Sequence, residues 1–161
     1  MSATNDPWYK STLHFADSQT KLTFHIPHDV FSTQRIDEGT LLLLANLPSQ
    51  KPLTVLDMGC GYGALGLPIA AHFPEARIEM VDRDLLAAHW SAINASANKL
   101  TNVKAYGSLG FRNIPADAKY DWILCNVPAR IGTPFIKNLM ESAQPHLTPG
   151  GELRVVVIND L

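Results

Sequence analysis

The stretch Val55-Leu56-Asp57-Met58-Gly59-Cys60-Gly61-Tyr62-Gly63 limits what this chain can fold into more than any other. A short apolar run ends on an acid and enters a turn with glycine at every second position. Glycines let a backbone turn sharply and come close to a ligand. A helical pattern follows over 64–73. A second apolar run, over 77–82, ends on another acid, Asp82. Strand, glycine turn, helix and strand in that order begin a parallel α/β sheet. Acids at two adjacent strand ends suit a ligand with an amine and ribose hydroxyls. The combination points to a nucleoside-containing cofactor.

The rest of the chain continues the alternation. Residues 1–36 are polar and mixed, with a strand pattern over 22–26, broken by Pro27, and a loop at Val30-Phe31-Ser32. Asp37 is placed to cap a helix over 40–47. The first core strand is expected over 53–57. A helix is expected over 85–99 with Asp84 as its cap, strands over 103–106 and 121–125, and a helix over 134–143. A Pro149-Gly150-Gly151 turn then leads into a last strand over 152–158. The expected fold is α/β, a doubly wound parallel sheet. It forms one domain over 1–161, with a lead-in segment over 1–36 and a core over 37–161. The lead-in is expected to close over the ligand.

Composition narrows the classes. Apolar residues make up 46% of the chain and charged ones 17%, which fits a packed globule and not a disordered chain. A net charge of −2 gives no general pull toward nucleic acid, although a local basic patch would suffice. Two cysteines, Cys60 and Cys125, follow strand patterns and suggest a reducing, cytoplasmic setting. No apolar run reaches membrane-spanning length, and the first six residues do not read as a signal peptide. His25 and His28 have no cysteine or acid at ligand spacing and read as surface residues, so no metal is expected.

The glycine turn alone has a rival reading. Gly61-Tyr62-Gly63-Ala64-Leu65-Gly66 also fits the G-x-G-x-x-G pattern of dinucleotide enzymes. The strand over 121–125 separates the two, because it leads into Asn126-Val127-Pro128-Ala129-Arg130. Together with Asp57-Met58-Gly59-Cys60-Gly61-Tyr62-Gly63 and Asp82, this segment resembles the class I S-adenosylmethionine-dependent methyltransferases. The specific likeness is to the "methyltransferase small" group, which includes ribosomal RNA guanine-N2 methyltransferases. Val30-Phe31-Ser32 followed by Arg35-Ile36-Asp37-Glu38-Gly39-Thr40 is similar to that group's lead-in. The likeness runs from about residue 22 to residue 158.

The resemblance implies a Rossmann-like methyltransferase fold and S-adenosylmethionine as cofactor. It implies a cofactor site made of Asp57, Gly59, Cys60, Gly61, Gly63, Asp82, Arg83, Ser108, Leu109 and Asn126. Asn126, Val127 and Pro128 take the catalytic positions, with the Asn126 side-chain oxygen and the Val127 carbonyl receiving the acceptor amine. Phe31 and Arg130 are the substrate-facing candidates. The chain departs from the group's pattern in three places. Val127 stands where the first proline is usual, Ala129 removes an aromatic, and Ser108 stands where an acid often faces the adenine amine.

The implied function is N-methylation of an exocyclic amine of a nucleobase, with guanine N2 in ribosomal RNA favoured. A small-molecule methyltransferase and a non-catalytic cofactor- or RNA-binding module stand as alternatives. The sequence further suggests that the sheet lacks the fold's final strand 6–7 hairpin. That would leave an open edge at which two copies can pair.

Overall fold

The computed structural model describes residues 3–30, 34–127 and 132–157. Five strands form a parallel sheet: β3 (Thr54–Met58), β4 (Arg77–Asp82), β5 (Val103–Gly107), β6 (Tyr120–Val127) and β7 (Leu147–Val157). Their spatial order is β5-β4-β3-β6-β7. The chain therefore winds outward from β3 in one direction, then returns and winds in the other. The switch point lies between β3 and β6, where open α/β sheets form a crevice beyond the strands' carboxyl ends. The helices are α1 (Glu38–Ala45), α2 (Gly66–His72), α3 (Leu85–Ala97) and α4 (Thr133–Ala143).

Near-continuous apolar strands require cover on both faces, and the sheet has it. Val55, Ile78, Met80 and Leu124 belong to one core, shared with α2, α3 and β2. Leu56, Val81, Ile123 and Cys125 belong to a second, closed by Leu139 and Ala143 of α4. Neighbouring residues on a strand fall in different cores, as the two-residue period of a strand demands. Asp37 and Asp84 cap α1 and α3 as expected, accepting from Gly39 N and Leu86 N at 2.9 Å each. Trp90 of α3 is fully buried. Both cysteines are free thiols and buried. No described helix is long and apolar enough to cross a membrane.

Several expectations are corrected. The sheet was expected to lack its strand 6–7 pair. Counted along the chain, β6 and β7 are present in the sheet, paired in parallel from Trp122↔Glu152 to Val127↔Val157. The argument for dimerisation through an edge left by a missing hairpin falls with that expectation. Pro149-Gly150-Gly151 does not turn into a strand but lies within one. β7 already pairs at Leu147, and the register shifts between Tyr120 and Trp122. Gly150, at φ 82°, forms that bulge. The helix expected from residue 64 begins only at Gly66, because Gly63, at φ 96°, still belongs to the turn.

The lead-in holds two strands where one was read. β1 (Tyr9–Ala16) pairs antiparallel with β2 (Lys21–Pro27). β1 alternates half-buried and exposed residues and buries none fully, so it carries little apolar signal. β2 contributes Leu22, Phe24 and Ile26 to the core. His25, expected at the surface, is half-buried, whereas His28 is exposed. The outer edge of β2 meets the side of α3 instead of another strand. Asn94 accepts from His25 N at 2.7 Å and donates to His25 O at 3.0 Å. One helical turn on, Asn98 accepts from Thr23 N at 2.9 Å and donates to Thr23 O at 2.8 Å. Each amide side chain pairs like a residue of a neighbouring strand, which satisfies the edge's buried backbone groups.

Candidate functional site

The carboxyl ends of β3, β4, β5 and β6 carry the residues singled out in the sequence. Beyond β3 the chain passes through Gly59 (φ 79°) and Gly61 (φ 57°), conformations that side chains rarely adopt. A Cβ at either position would meet nothing within 4 Å, so both glycines border open space. Gly63 differs: a Cβ there would lie 2.8 Å from Leu67 Cδ1, so this glycine serves packing. The turn is stitched to β4, because Gly59 N and Cys60 N both donate to Val81 O, at 2.8 and 3.0 Å.

The two acids occupy different environments. Asp57 is buried, and its Oδ2 accepts from Gly66 N at 2.9 Å. Burial pushes its carboxyl up to about 7; the Gly66 N–H opposes this and the nearby Asp82 charge adds to it. Gly66 cannot be larger, since a Cβ would collide with Met80 and lie 2.9 Å from Asp57 Oδ2. Asp82 is half-buried at the end of β4. Its Oδ2 accepts from Gly61 N and its Oδ1 from Asp84 N, each at 2.9 Å. One carboxylate thus fixes the glycine turn against the start of α3. Each oxygen keeps a further lone pair for a ligand hydroxyl.

Beside Asp82, Arg83 is exposed. Leu85 and Leu109 are 73% and 62% exposed and stand after β4 and β5. Gly107, at the end of β5, lies so close to Leu85 that a Cβ would collide with it. Ser108 is buried, and its hydroxyl is used within the loop: it donates to Gly110 O at 2.6 Å and accepts from Asn113 N at 3.1 Å. It shapes the loop that carries Leu109. The Cys60 side chain is also turned inward, and burial holds its thiol far above the usual range. Cys60 therefore has only its backbone to offer a ligand.

Asn126 lies near the end of β6, across the switch point from the glycine turn. Its Nδ2 donates to Asp37 Oδ2, at the cap of α1, at 2.6 Å and to Thr40 Oγ1, in its first turn, at 3.1 Å. Two oxygens on that side identify the nitrogen end of the amide. Among the described residues no donor is recorded on Oδ1, which remains an acceptor. Val127 follows, with its side chain buried. Phe31, Pro128 and Arg130 lie outside the described residues.

Sequence reasoning overlooked what supports the turn from below. Ser91 Oγ lies 2.9 Å from Gly61 O, and Asn94 Nδ2 donates to Tyr62 O at 2.9 Å. Tyr62 itself packs edge-on against Phe24 of β2, with ring centroids 5.6 Å apart. The signal was present as polar residues at 91, 94 and 98, spaced to share one face of the helix.

This geometry can hold an extended ligand along the strand ends, with hydroxyls at Asp82 and an apolar ring between exposed leucines. It also offers an oriented carbonyl at Asn126. The Methyltransferase small domain family matches residues 21–161. This chain belongs to that family. The protein YbxB of Bacillus subtilis is 35% identical over 149 residues, 92% of this chain and 74% of that protein. Ribosomal RNA small subunit methyltransferase C of Pseudomonas putida is 37% identical over 131 residues, 79% of this chain. The match spans only 39% of that relative's length. Among solved structures, coclaurine N-methyltransferase bound to N-methylheliamine and SAH superposes with a TM-score of 0.60 at 22% identity. The overlap covers 72% of this chain and 34% of that one, and it establishes the fold. Family membership places the chain among the S-adenosylmethionine-dependent methyltransferases.

Proposed function

We propose that this methyltransferase domain N-methylates an exocyclic amine of a nucleobase, with guanine N2 in ribosomal RNA as the favoured acceptor. The observation that carries the reading is Asn126. Its nitrogen end is tied to Asp37 and Thr40, and its carbonyl oxygen, which lies against Gly39, has no donor among the described residues and is left to accept from a ligand. An exocyclic amine is a weak nucleophile because its lone pair is delocalised into the ring. Two carbonyl oxygens, Asn126 Oδ1 and Val127 O, receive its N–H groups and aim the lone pair. Such positioning is the main means by which a protein promotes an in-line displacement. The names of the ribosomal RNA methyltransferase C relatives support an RNA acceptor.

The residues at the strand ends fit the cofactor. Bound S-adenosylmethionine supplies an electrophilic methyl on its sulfonium, and its demethylated thioether is left behind. The open faces of Gly59 and Gly61 admit the ligand close to the backbone. Asp82 receives the ribose hydroxyls, Leu85 and Leu109 border the base, and the buried Asp57 charge favours the cationic amino-acid end. After transfer the acceptor nitrogen gives up one proton to water.

Two binding predictions follow from those roles. Asp82→Ala weakens cofactor binding by about 1.5–3 kcal/mol, the loss for hydrogen bonds to a charged group; titration calorimetry reads it, and equal affinity removes Asp82 from the site. The second concerns pH. The Asp57 carboxyl titrates at about 7 in the fold, against the usual 3.8. Its native pKa is raised, so its contribution to stability is present below the unfolded value and is lost as pH rises through about 7. A cationic ligand favours the carboxylate, so cofactor affinity rises with pH toward that value and levels off above it. In Asp57→Asn the affinity is flat across the same range. A wild-type profile as flat as the variant's would exclude coupling through Asp57.

The function itself is tested by incubating the protein with labelled cofactor and undermodified small-subunit ribosomal RNA, then analysing the nucleosides. The expected product is N2-methylguanosine. Label on a different base overturns the guanine assignment. Tight cofactor binding with no transfer to RNA overturns the RNA reading in favour of a small-molecule acceptor or a binding module.

A further inference from the structure

One turn of α1 sends three features to a single side chain. Asp37 Oδ2 accepts from Asn126 Nδ2 at 2.6 Å and, as the helix cap, from Gly39 N at 2.9 Å. Thr40 Oγ1 accepts the second N–H of the same amide at 3.1 Å. Gly39 sits between them with its Cα against the amide; a Cβ there would lie 2.5 Å from Asn126 Oδ1 and 2.9 Å from Val156 Cγ1. Glycine is a poor residue inside a helix. Its place in this turn is explained by the contact it allows and not by helix formation. Thr40 is buried. Glu38, in the same turn, points the other way and pairs with Arg35 at an exposed site.

A carboxamide is nearly symmetric in shape, and its oxygen and nitrogen ends exchange by a half-turn about the last side-chain bond. The difference is decisive for an amine acceptor. An outward oxygen receives the amine's N–H, whereas an outward NH2 opposes it with a second donor. A carboxylate cannot donate a hydrogen bond, so Asp37 admits only the nitrogen end. Thr40 occupies the other N–H, and Gly39 leaves room for the oxygen.

We infer that Asp37, Gly39 and Thr40 are positioning residues that lock the polarity and place of the Asn126 amide, so that the first turn of α1 sets the acceptor geometry. This rests on the reading of Asn126 as the group that orients the acceptor.

The test uses the full chain and avoids removing the helix cap. Thr40→Val keeps shape and deletes one acceptor; Thr40→Ser restores it. Gly39→Ala strengthens the helix locally but crowds the amide. Glu38→Gln is the control in the same turn. Methyl transfer to RNA, cofactor affinity and the Asn126 side-chain NH2 signals in nitrogen-15 NMR are compared, the signals being identified as the pair absent from Asn126→Ala. Thr40→Val and Gly39→Ala are expected to lower kcat by ~10- to 100-fold, the scale of small misplacements at a reacting centre. Cofactor affinity holds, the NH2 signals shift, and Thr40→Ser and Glu38→Gln behave as wild type. Unmoved NH2 signals in both variants overturn the positioning role whatever the rates, as do wild-type rates alongside an inactive Asn126→Ala. If the signals move but the wild-type protein transfers no methyl to RNA, the positioning stands and the acceptor reading falls.

Discussion

Asn126→Ala is expected to slow methyl transfer by ~100-fold or more, while cofactor affinity stays unchanged, as for loss of one preorganised hydrogen-bonding group. On the proposed reading, the substitution deletes the oxygen that receives the acceptor amine. It leaves intact the glycine turn, Asp82 and the leucines after β4 and β5, none of which contacts Asn126 through a recorded hydrogen bond. The loss therefore falls on kcat and not on cofactor binding. The cost to the fold is small, because Asp37 keeps its bond to Gly39 N and remains a helix cap. Asn126→Asp separates geometry from charge. The shape is kept, but the end facing Asp37 would be a second carboxylate oxygen at the 2.6 Å contact. Repulsion turns or displaces the group, and the variant is expected to be as slow as Asn126→Ala. Single-turnover transfer with saturating cofactor is the measurement. A rate equal to wild type in Asn126→Ala removes the residue from the mechanism.

The order of core elements was legible because the central strands are apolar on both faces and carry a polar residue or glycine at their ends: Asp57, Asp82, Gly107 and Asn126. The boundaries of β4 were read to the residue, and those of β3, α3 and α4 to within two. What escaped has physical causes. β1 gains its place from pairing with β2 and buries no side chain fully, so no apolar run marks it. β7 contains Pro149-Gly150, residues that signal a turn, yet a bulge absorbs them within the strand. Asp57, Asp82 and Asn126 stood out from the sequence as polar residues at strand ends. The polar residues that hold Asn126 and the glycine turn in place did not, because Thr40, Ser91 and Asn94 lie inside helical patterns, where a polar residue usually marks the solvent face. Burial of Ser91 and Asn94 emerges only once β2 and the glycine turn are packed against α3.

That packing makes Asn94 the position with the largest expected effect on stability. Its side chain serves three backbone groups at once: His25 N, His25 O and Tyr62 O. Asn94→Ala leaves all three unpaired at a fully buried site. An orphaned buried group costs ~1–3 kcal/mol, so the sum, partly relieved by water or backbone shift, is roughly 4 kcal/mol. That is a large share of the ~5–15 kcal/mol typical of a domain. Asn94→Asp is expected to be little better, since a carboxylate satisfies His25 N but repels two carbonyl oxygens, and a carboxyl kept neutral by burial can donate to only one of them. Asn98→Ala is milder, because Asn98 is only half-buried. The effect extends to function, since Tyr62 lies between Gly61 and Gly63. Loosening its carbonyl and detaching β2 from α3 relaxes the turn proposed to face the cofactor. Cofactor affinity is thus expected to fall in Asn94→Ala even at temperatures where the protein remains folded. Denaturant midpoints with and without S-adenosylhomocysteine measure both consequences together. An unshifted midpoint would show that the hairpin is held by its apolar face alone, through Phe24 and Ile26.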